Sequence, residues 1–184
     1  RCINGLLDVG GAFTREEIQD LYYFVFNLKS SFGGRSLWQL GTPVIKKVGA
    51  DSLMNCWHVA IKEIDAFLFT FNELMLGGGV GFNILPEYVY ELPIVKHDIS
   101  ITREFNFDVD YVVPDNREGW VRLLKKVLTS FFHTGKNFTY STMGVRPKGT
   151  PIATFGGTAS GPDELVLGIE HTTQILKSRV GQKL

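Results

Sequence analysis

Twice in this chain a helical run stops at glycine and passes straight into a strand-like run, and this alternation narrows the fold more than any other feature. In "DAFLFTFNELMLGGGVGFNI", Asp65 serves as cap, and Leu68, Phe71 and Met75 lie along one face. Glycine from Gly77 onward ends the helix, and "GVGFNI" reads as a strand. In "PDNREGWVRLLKKVLTSFFHTGKNFTYSTM", Asp115 and Glu118 make a box-like start, and Trp120, Leu124, Val127, Leu128 and Phe131 form the apolar stripe. Gly135 closes that helix, and "NFTYSTM" follows as a strand. Such helix–glycine–strand units build α/β sheets rather than bundles or sandwiches.

The flanks fit the same class. Thr14 with Glu17 three residues on is a capping box. It opens a helix whose stripe is Ile18, Leu21, Tyr22, Val25 and Leu28, with Gly33-Gly34 as its stop. "SLMNCWHVAI", Ser52 to Ile61, is short, apolar and rich at its end in β-branched residues, and reads as a buried strand. "YELPIVKHDISITREFNFDVDYVV" suggests irregular extended segments, and Pro162 begins a last helix as a first-turn proline. No repeat or low-complexity linker interrupts the order.

Composition excludes several functions. Lys+Arg and Asp+Glu balance at 19 each, which leaves no general basic surface for a nucleic-acid polymer, although a local nucleotide pocket needs only a few placed cations. No apolar run reaches the ~18 residues of a membrane span, and the start "RCINGLLDVGG" lacks the order of a signal peptide. Two cysteines, Cys2 and Cys56, are too few for a disulfide scaffold and fit a reducing cytoplasm. The 184 residues suit one domain or part of a larger one. The chain opens on Arg1 and closes on the amphipathic "SRVGQKL", so a fragment is expected.

Most chemistry-bearing residues have an ordinary structural reading. "GGGVGF" misses the G-x-G-x-x-G spacing at Phe82 and leads from a helix into a strand, the reverse of a phosphate loop. It is either a helix stop with tight backbone packing or a backbone left bare for a ligand. A lone cysteine in a strand is usually an inert core residue, which is the residue-level reading of Cys56. His58 alternates with it and shares its face, but no third orienting group completes a Cys-His pair. The scattered His58, His97, His133 and His171 argue against zinc. Asp108 and Asp110 form no persuasive acid–base pair, and Asp163 with Glu164 suit the first turn of a helix on dipole grounds alone.

"RPKGTPIATFGGTASGP", Arg146 to Pro162, is unlike the rest. Small residues from Gly156 to Gly161 allow backbone N–H groups to close on an anion or a base edge. Arg146 and Lys148 stand at its entry and Phe155 supplies its aromatic face. From composition alone it is a ligand loop or a linker.

Several segments together resemble one family, the large catalytic chains of ribonucleotide reductases, and among them the monomeric, adenosylcobalamin-dependent ribonucleoside-triphosphate reductases. The segments are "GGRSLWQLGTP", "NCWHVAI", "ELMLGGGVGF", "PDNREGW" and "RPKGTPIATFGGTASGP", in the family's order; "FGGTASGP" and "NREGW" are specific to the cobalamin branch. The resemblance implies an α/β fold, the N-terminal part of the ten-stranded ribonucleotide reductase α/β barrel. Residues 1–40 would end a helical N-terminal region, and residues 41–184 would begin the catalytic barrel. It implies adenosylcobalamin as cofactor and a ribonucleoside triphosphate as substrate. A deoxynucleoside triphosphate would be the allosteric effector, and thioredoxin or a similar dithiol the reductant.

By the same resemblance Cys56 is one of two cysteines that become a disulfide as the 2′-hydroxyl of the ribose leaves as water. Thr42 and Asn55 would line the substrate site, with the backbone of Gly78 and Gly79 close to the sugar and phosphates. Arg146, Lys148, Gly149, Phe155, Gly156 and Gly157 would belong to the effector specificity loop, and Asp65 would lie among effector-binding elements. The thiyl cysteine, its neighbouring acid and amide, and the second reducing cysteine lie downstream in the family, so this chain is not expected to catalyse reduction alone. A stand-alone nucleotide-binding or regulatory module without redox chemistry is the alternative from another class.

Overall fold

The structure, a computed structural model, describes residues 1–153 and 156–184. Backbone contacts divide the chain into two units: Arg1–Cys56 with Leu76–Gly78, and Trp57–Met75 with Gly79–Leu184.

The first unit is helical. It holds α1 (Cys2–Asp8), α2 (Arg15–Phe26), α3 (Gly34–Gln39) and α4 (Pro43–Val48), then a 3-10 turn at Ala50–Leu53. The capping box of α2 is complete: Thr14 N–H donates to the Glu17 carboxylate at 2.8 Å, and Glu17 N–H donates to Thr14 Oγ1 at 3.2 Å. The helix stops earlier than its sequence suggests, at Phe26, with Leu28 at φ 55° two residues on rather than at Gly33-Gly34. Its expected stripe is not buried. Aromatic residues occupy several faces of α2, and Tyr22 and Phe26 stay 58% and 70% exposed. The unit's buried side chains include instead Leu40, Ile45, Leu76 and the polar pair Gln39 and Ser52.

The second unit is α/β. Strand β1 (Cys56–Ala60), whose first residue ends the first unit, pairs with β2 (Gly79–Asn83) in a two-stranded sheet, with α5 (Ile64–Met75) between them in sequence. The strand read over Ser52–Ile61 is therefore shorter, and only half covered: Cys56 and His58 are exposed, while Trp57, Val59 and Ala60 are partly buried. After α6 (Pro86–Val89) come β3 (Ile101–Arg103), β4 (Tyr111–Val112), α7 (Arg117–Thr129) and β5 (Phe138–Ser141). The last three strands form a parallel sheet in the order β3-β5-β4, with Ile101 opposite Phe138 and Val112 opposite Ser141.

Parallel neighbours need a crossover, and α7 supplies the one from β4 to β5. Leu123, Val127, Phe131 and Phe132 pack from α7 and the π turn after it (Ser130–Thr134) against Tyr140 and Val113 of the sheet region and against Leu165, Ile169 and Leu176 of α8 (Asp163–Ser178). The stripe is thus close to the one read from sequence, shifted so that Leu123 is fully covered while Trp120 and Leu124 sit at its margin. Gly135, in the left-handed region at φ 65°, turns the chain into β5. The start of α7 differs by one residue from its reading. Asn116 is the cap, accepting the Gly119 N–H at 2.7 Å, because Asp115 is drawn away to Arg146. Asp65 likewise is not a cap but the second residue of α5.

Candidate functional site

Cys56 begins β1 with its side chain exposed, not sunk in a core. The expectation of an inert buried thiol is therefore corrected: the apolar string around it marks a strand, but the strand has an open face. Asn55, just before it, is exposed too. The other cysteine, Cys2, is half-buried in α1, its thiol directed at the Ser36 carbonyl at 3.8 Å.

The segment leading to Cys56 is held from beneath by side chains that sequence reading overlooked. Gln39 and Ser52, both 0% exposed, form a reciprocal pair: Ser52 Oγ donates to Gln39 Oε1 at 2.5 Å, and Gln39 Nε2 donates to the Ser52 carbonyl at 3.2 Å. Arg35 reaches further. Its Nη1 donates to the carbonyls of Ser52 (3.0 Å), Met54 (3.2 Å) and Leu76 (3.2 Å), and its Nη2 donates to the carbonyl of Gly77. The chain leading to Asn55 and Cys56 and the turn leading to Gly78 thus meet on one guanidinium. Charge pattern could not have found Arg35, because its partners are main-chain oxygens rather than acids.

Thr42 precedes α4 without capping it, its hydroxyl donating to the Gln39 carbonyl at 2.6 Å. It lines a cleft of about 450 Å³ with Gly5, Asp8, Gly41, Ile45 and Lys46. Gly78 is buried, and Gly79 is the first, exposed residue of β2. Thr42, Asn55, Cys56 and Gly78 all lie in the first unit, whereas Asp65, Gly79 and the Arg146–Pro162 stretch lie in the second.

That stretch leaves the carboxyl end of β5, the side of a parallel sheet where α/β folds bind ligands. It is a shaped loop and not a linker. Gly149 N–H donates to the Ala159 carbonyl (2.9 Å), Ala159 N–H to Thr150 (2.8 Å) and Ile152 N–H to Gly157 (3.0 Å), with a bridge between Pro151 and Thr158. The idea of an anion cradle from the backbone N–H groups of Gly156 to Gly161 is corrected at two positions, since the N–H groups of Gly156 and Ala159 are spent on the carbonyls of Ile152 and Thr150. Gly149, Gly156, Gly157 and Gly161 all have positive φ, which explains why the loop is glycine-rich. Arg146 is engaged at the loop's entry, its Nε donating to the Asp115 carboxylate at 2.7 Å. Lys148 is exposed. Phe155 lies outside the described residues.

Near that sheet edge, Arg103 Nη2 donates to Thr142 Oγ1 at 2.9 Å, while its buried Nε has no hydrogen-bond partner among the described residues. Asp110 is not free for catalysis. It accepts the N–H of Thr139 at 2.8 Å and its hydroxyl at 3.1 Å, and the backbone bond above all lowers its pKa. Asp163 and Glu164 stand in the first turn of α8, as dipole arguments require. Among the described residues no group of His, Cys, Asp and Glu is arranged to hold a metal ion, and no helix is long and apolar enough to cross a membrane.

Three comparisons bear on this arrangement. The family model described as B12-dependent ribonucleotide reductase, insertion domain, matches residues 94–176. An adenosylcobalamin-dependent ribonucleoside-triphosphate reductase of Lactobacillus helveticus is 32% identical over 91% of this chain and 30% of its own length. The enzyme so named from Euglena gracilis is 37% identical over 92% of this chain and 23% of its own length. The crystal structure of a B-12 dependent (class II) ribonucleotide reductase superposes with a TM-score of 0.82 at 28% identity, covering 100% of this chain and 34% of that one. The chain therefore spans under a third of these curated relatives. With sequence likeness running through nearly its whole length and the α/β fold shared, the chain belongs to the B12-dependent ribonucleotide reductase family.

Proposed function

We propose that this chain serves the reduction of ribonucleoside triphosphates to 2′-deoxyribonucleoside triphosphates, with Cys56 as one of the two reducing thiols. The observation that carries the reading is the exposed thiol of Cys56 at the head of β1, in a chain whose relatives are reductases of this kind. These relatives favour it over a stand-alone binding module.

In this reading the 2′-hydroxyl leaves as water after taking a proton. The two electrons come from Cys56 and a second cysteine, whose sulfurs end joined in a disulfide that a dithiol of the thioredoxin kind reduces again. Cys2, in α1 with its thiol directed at the Ser36 carbonyl of α3, is not assigned as that second cysteine. Thr42 and Asn55 contact the substrate through hydroxyl and amide, and Gly78 and Gly79 let its sugar and phosphates approach the backbone, since neither has a side chain to block them. Residues 1–40 are read as the end of a helical region and residues 41–184 as the first part of the ten-stranded barrel; the insertion-domain model matches residues 94–176 within that span.

The loop from Arg146 to Pro162, with Lys148, Gly149, Gly156 and Gly157, relays a bound deoxynucleotide effector to the choice of base; Phe155 is assigned to it from sequence. Asp115 fixes Arg146, so Arg146 anchors the loop and Lys148 is the better candidate for a phosphate contact. Asp65, exposed in the first turn of α5, is assigned to the effector elements on resemblance alone.

Adenosylcobalamin is the cofactor named for the relatives. The cleft beside Thr42, at about 450 Å³, is the size of a small-ligand pocket and too small for a corrinoid, so none of its residues is assigned to the cofactor. The test is Cys56→Ser in a reductase that contains this chain. Loss of multiple turnover with a dithiol reductant is expected, and undiminished turnover would sink the assignment.

A further inference from the structure

Arg35 lies in α3, outside every residue assigned above to substrate, effector or thiol chemistry. Its guanidinium meets four main-chain carbonyls. Two of those carbonyls, Ser52 and Met54, belong to the segment that ends at Cys56. The other two, Leu76 and Gly77, follow the last turn of α5, where helix-end carbonyls lack intrahelical donors. All of them lie in the first unit.

We propose that Arg35 is a positioning residue that fixes the Asn55–Cys56 segment against the Gly77–Gly78 turn, so that thiol and bare glycine backbone are presented together. Only its consequence for turnover rests on the reading of Cys56 as a reducing thiol; the clamp itself is a property of this chain.

The residue type follows from the task. A guanidinium is planar, permanently charged and carries donors in a fixed fork, whereas a lysine ammonium donates from one point. Nη1 has two hydrogens and faces three carbonyls, so at least one of its bonds is shared, and the carbonyls must converge closely. Gly77 permits that convergence. It has φ 79°, and a Cβ there would stand 3.2 Å from Arg35 Nη2, pressing on the fork. The Ser52 carbonyl is also held by Gln39, so one side of the clamp is braced inside the unit and the Gly77 side depends on Arg35.

The test is amide hydrogen exchange on the whole chain, comparing Arg35→Lys, Arg35→Ala, Gly77→Ala and the double variant Arg35→Lys with Gly77→Ala. Arg35→Lys should speed exchange across residues 54–57 and 76–79 together by about tenfold or more, while α7 stays protected. Gly77→Ala alone should loosen residues 54–57 at a distance, and should loosen them no further once Arg35 is lysine. Should Arg35→Ala fail to fold, the lysine variant decides. Unchanged exchange in either segment overturns the clamp, as does loosening that merely keeps step with α7.

In a reductase containing this chain, Arg35→Lys should lower kcat about tenfold or more and leave the nucleotide KM nearly unchanged. A raised KM at full kcat would instead make Arg35 a binding residue. Because exchange is read without nucleotide, a clamp that holds alongside an active Cys56→Ser enzyme would refute the thiol reading and spare the clamp.

Discussion

Two glycine-to-alanine substitutions in helices of the second unit should move stability in opposite directions. Gly119 is in the first turn of α7, where its N–H fills the Asn116 cap at 2.7 Å and its carbonyl accepts the Tyr111 hydroxyl at 3.0 Å. A Cβ there would stand 2.7 Å from Pro114 Cδ and 2.8 Å from Pro114 O, and backbone cannot swing aside as a side-chain tip can. Helix propensity favours alanine by about 1 kcal/mol. Against that, forcing a methyl into a filled space costs roughly 1–3 kcal/mol, and weakening the cap costs about 1 kcal/mol more. The clash wins, and Gly119→Ala should destabilise by about 1–3 kcal/mol, lowering Tm by roughly 3–10 °C for a chain of this size.

Gly168, in α8, has nothing within 4 Å of its Cβ position and is exposed. There only propensity acts, and Gly168→Ala should stabilise by about 0.5–1 kcal/mol. Urea titration followed by circular dichroism, with thermal melts as a check, reads both variants against the parent chain. A Gly119→Ala protein as stable as the parent, or more so, would refute the packing argument around Pro114. Equal destabilisation of both variants would refute the use of local space to decide the sign.

Other consequences are as open to measurement. Asn116→Ala should cost about 1 kcal/mol and Asp115→Ala should leave the cap intact, since the cap bond belongs to Asn116; urea midpoints distinguish the two. Asp110 has its pKa held below the ordinary 3.8, chiefly by the Thr139 N–H, so it stabilises the fold above the ordinary carboxylate value, and that contribution is lost as pH falls through the lowered value. The stability gap between the parent and Asp110→Asn should therefore be present at neutral pH and close in strong acid; a gap that widens in acid contradicts the pairing. Gly157, at φ 76° with open space around its Cβ position, would be strained by a β-branched residue without being blocked. In a reductase containing this chain, Gly157→Val should weaken effector-dependent discrimination among substrates more than it weakens radical formation, and unchanged discrimination would reduce the loop to a structural turn.

What could be read in the sequence was local and periodic. The capping box of Thr14 and Glu17 needs only a spacing of three, and the stripe of α7 needs only the helical repeat; both are in the structure. What could not be read depends on partners far along the chain. Asp115 looked like a cap until Arg146, 31 residues on, took its carboxylate and left the cap to Asn116. Cys56 looked buried because its neighbours are apolar, yet it stands exposed at the head of its strand. Arg35 gave no signal at all, since its partners are carbonyls that every residue possesses. The role of Cys56 came from resemblance, because a lone thiol does not announce a redox partner.

The central claim is that Cys56 gives up its thiol as the ribose is reduced, and a single-turnover experiment addresses it directly. A prereduced reductase containing this chain is mixed with ribonucleoside triphosphate and adenosylcobalamin without external reductant, quenched with an alkylating agent, and its peptides are quantified by mass spectrometry. Cys56 should pass from alkylated thiol to disulfide in step with the deoxynucleotide formed, while Cys2 remains alkylatable. Deoxynucleotide formed in stoichiometric yield with Cys56 still fully alkylatable would contradict the account.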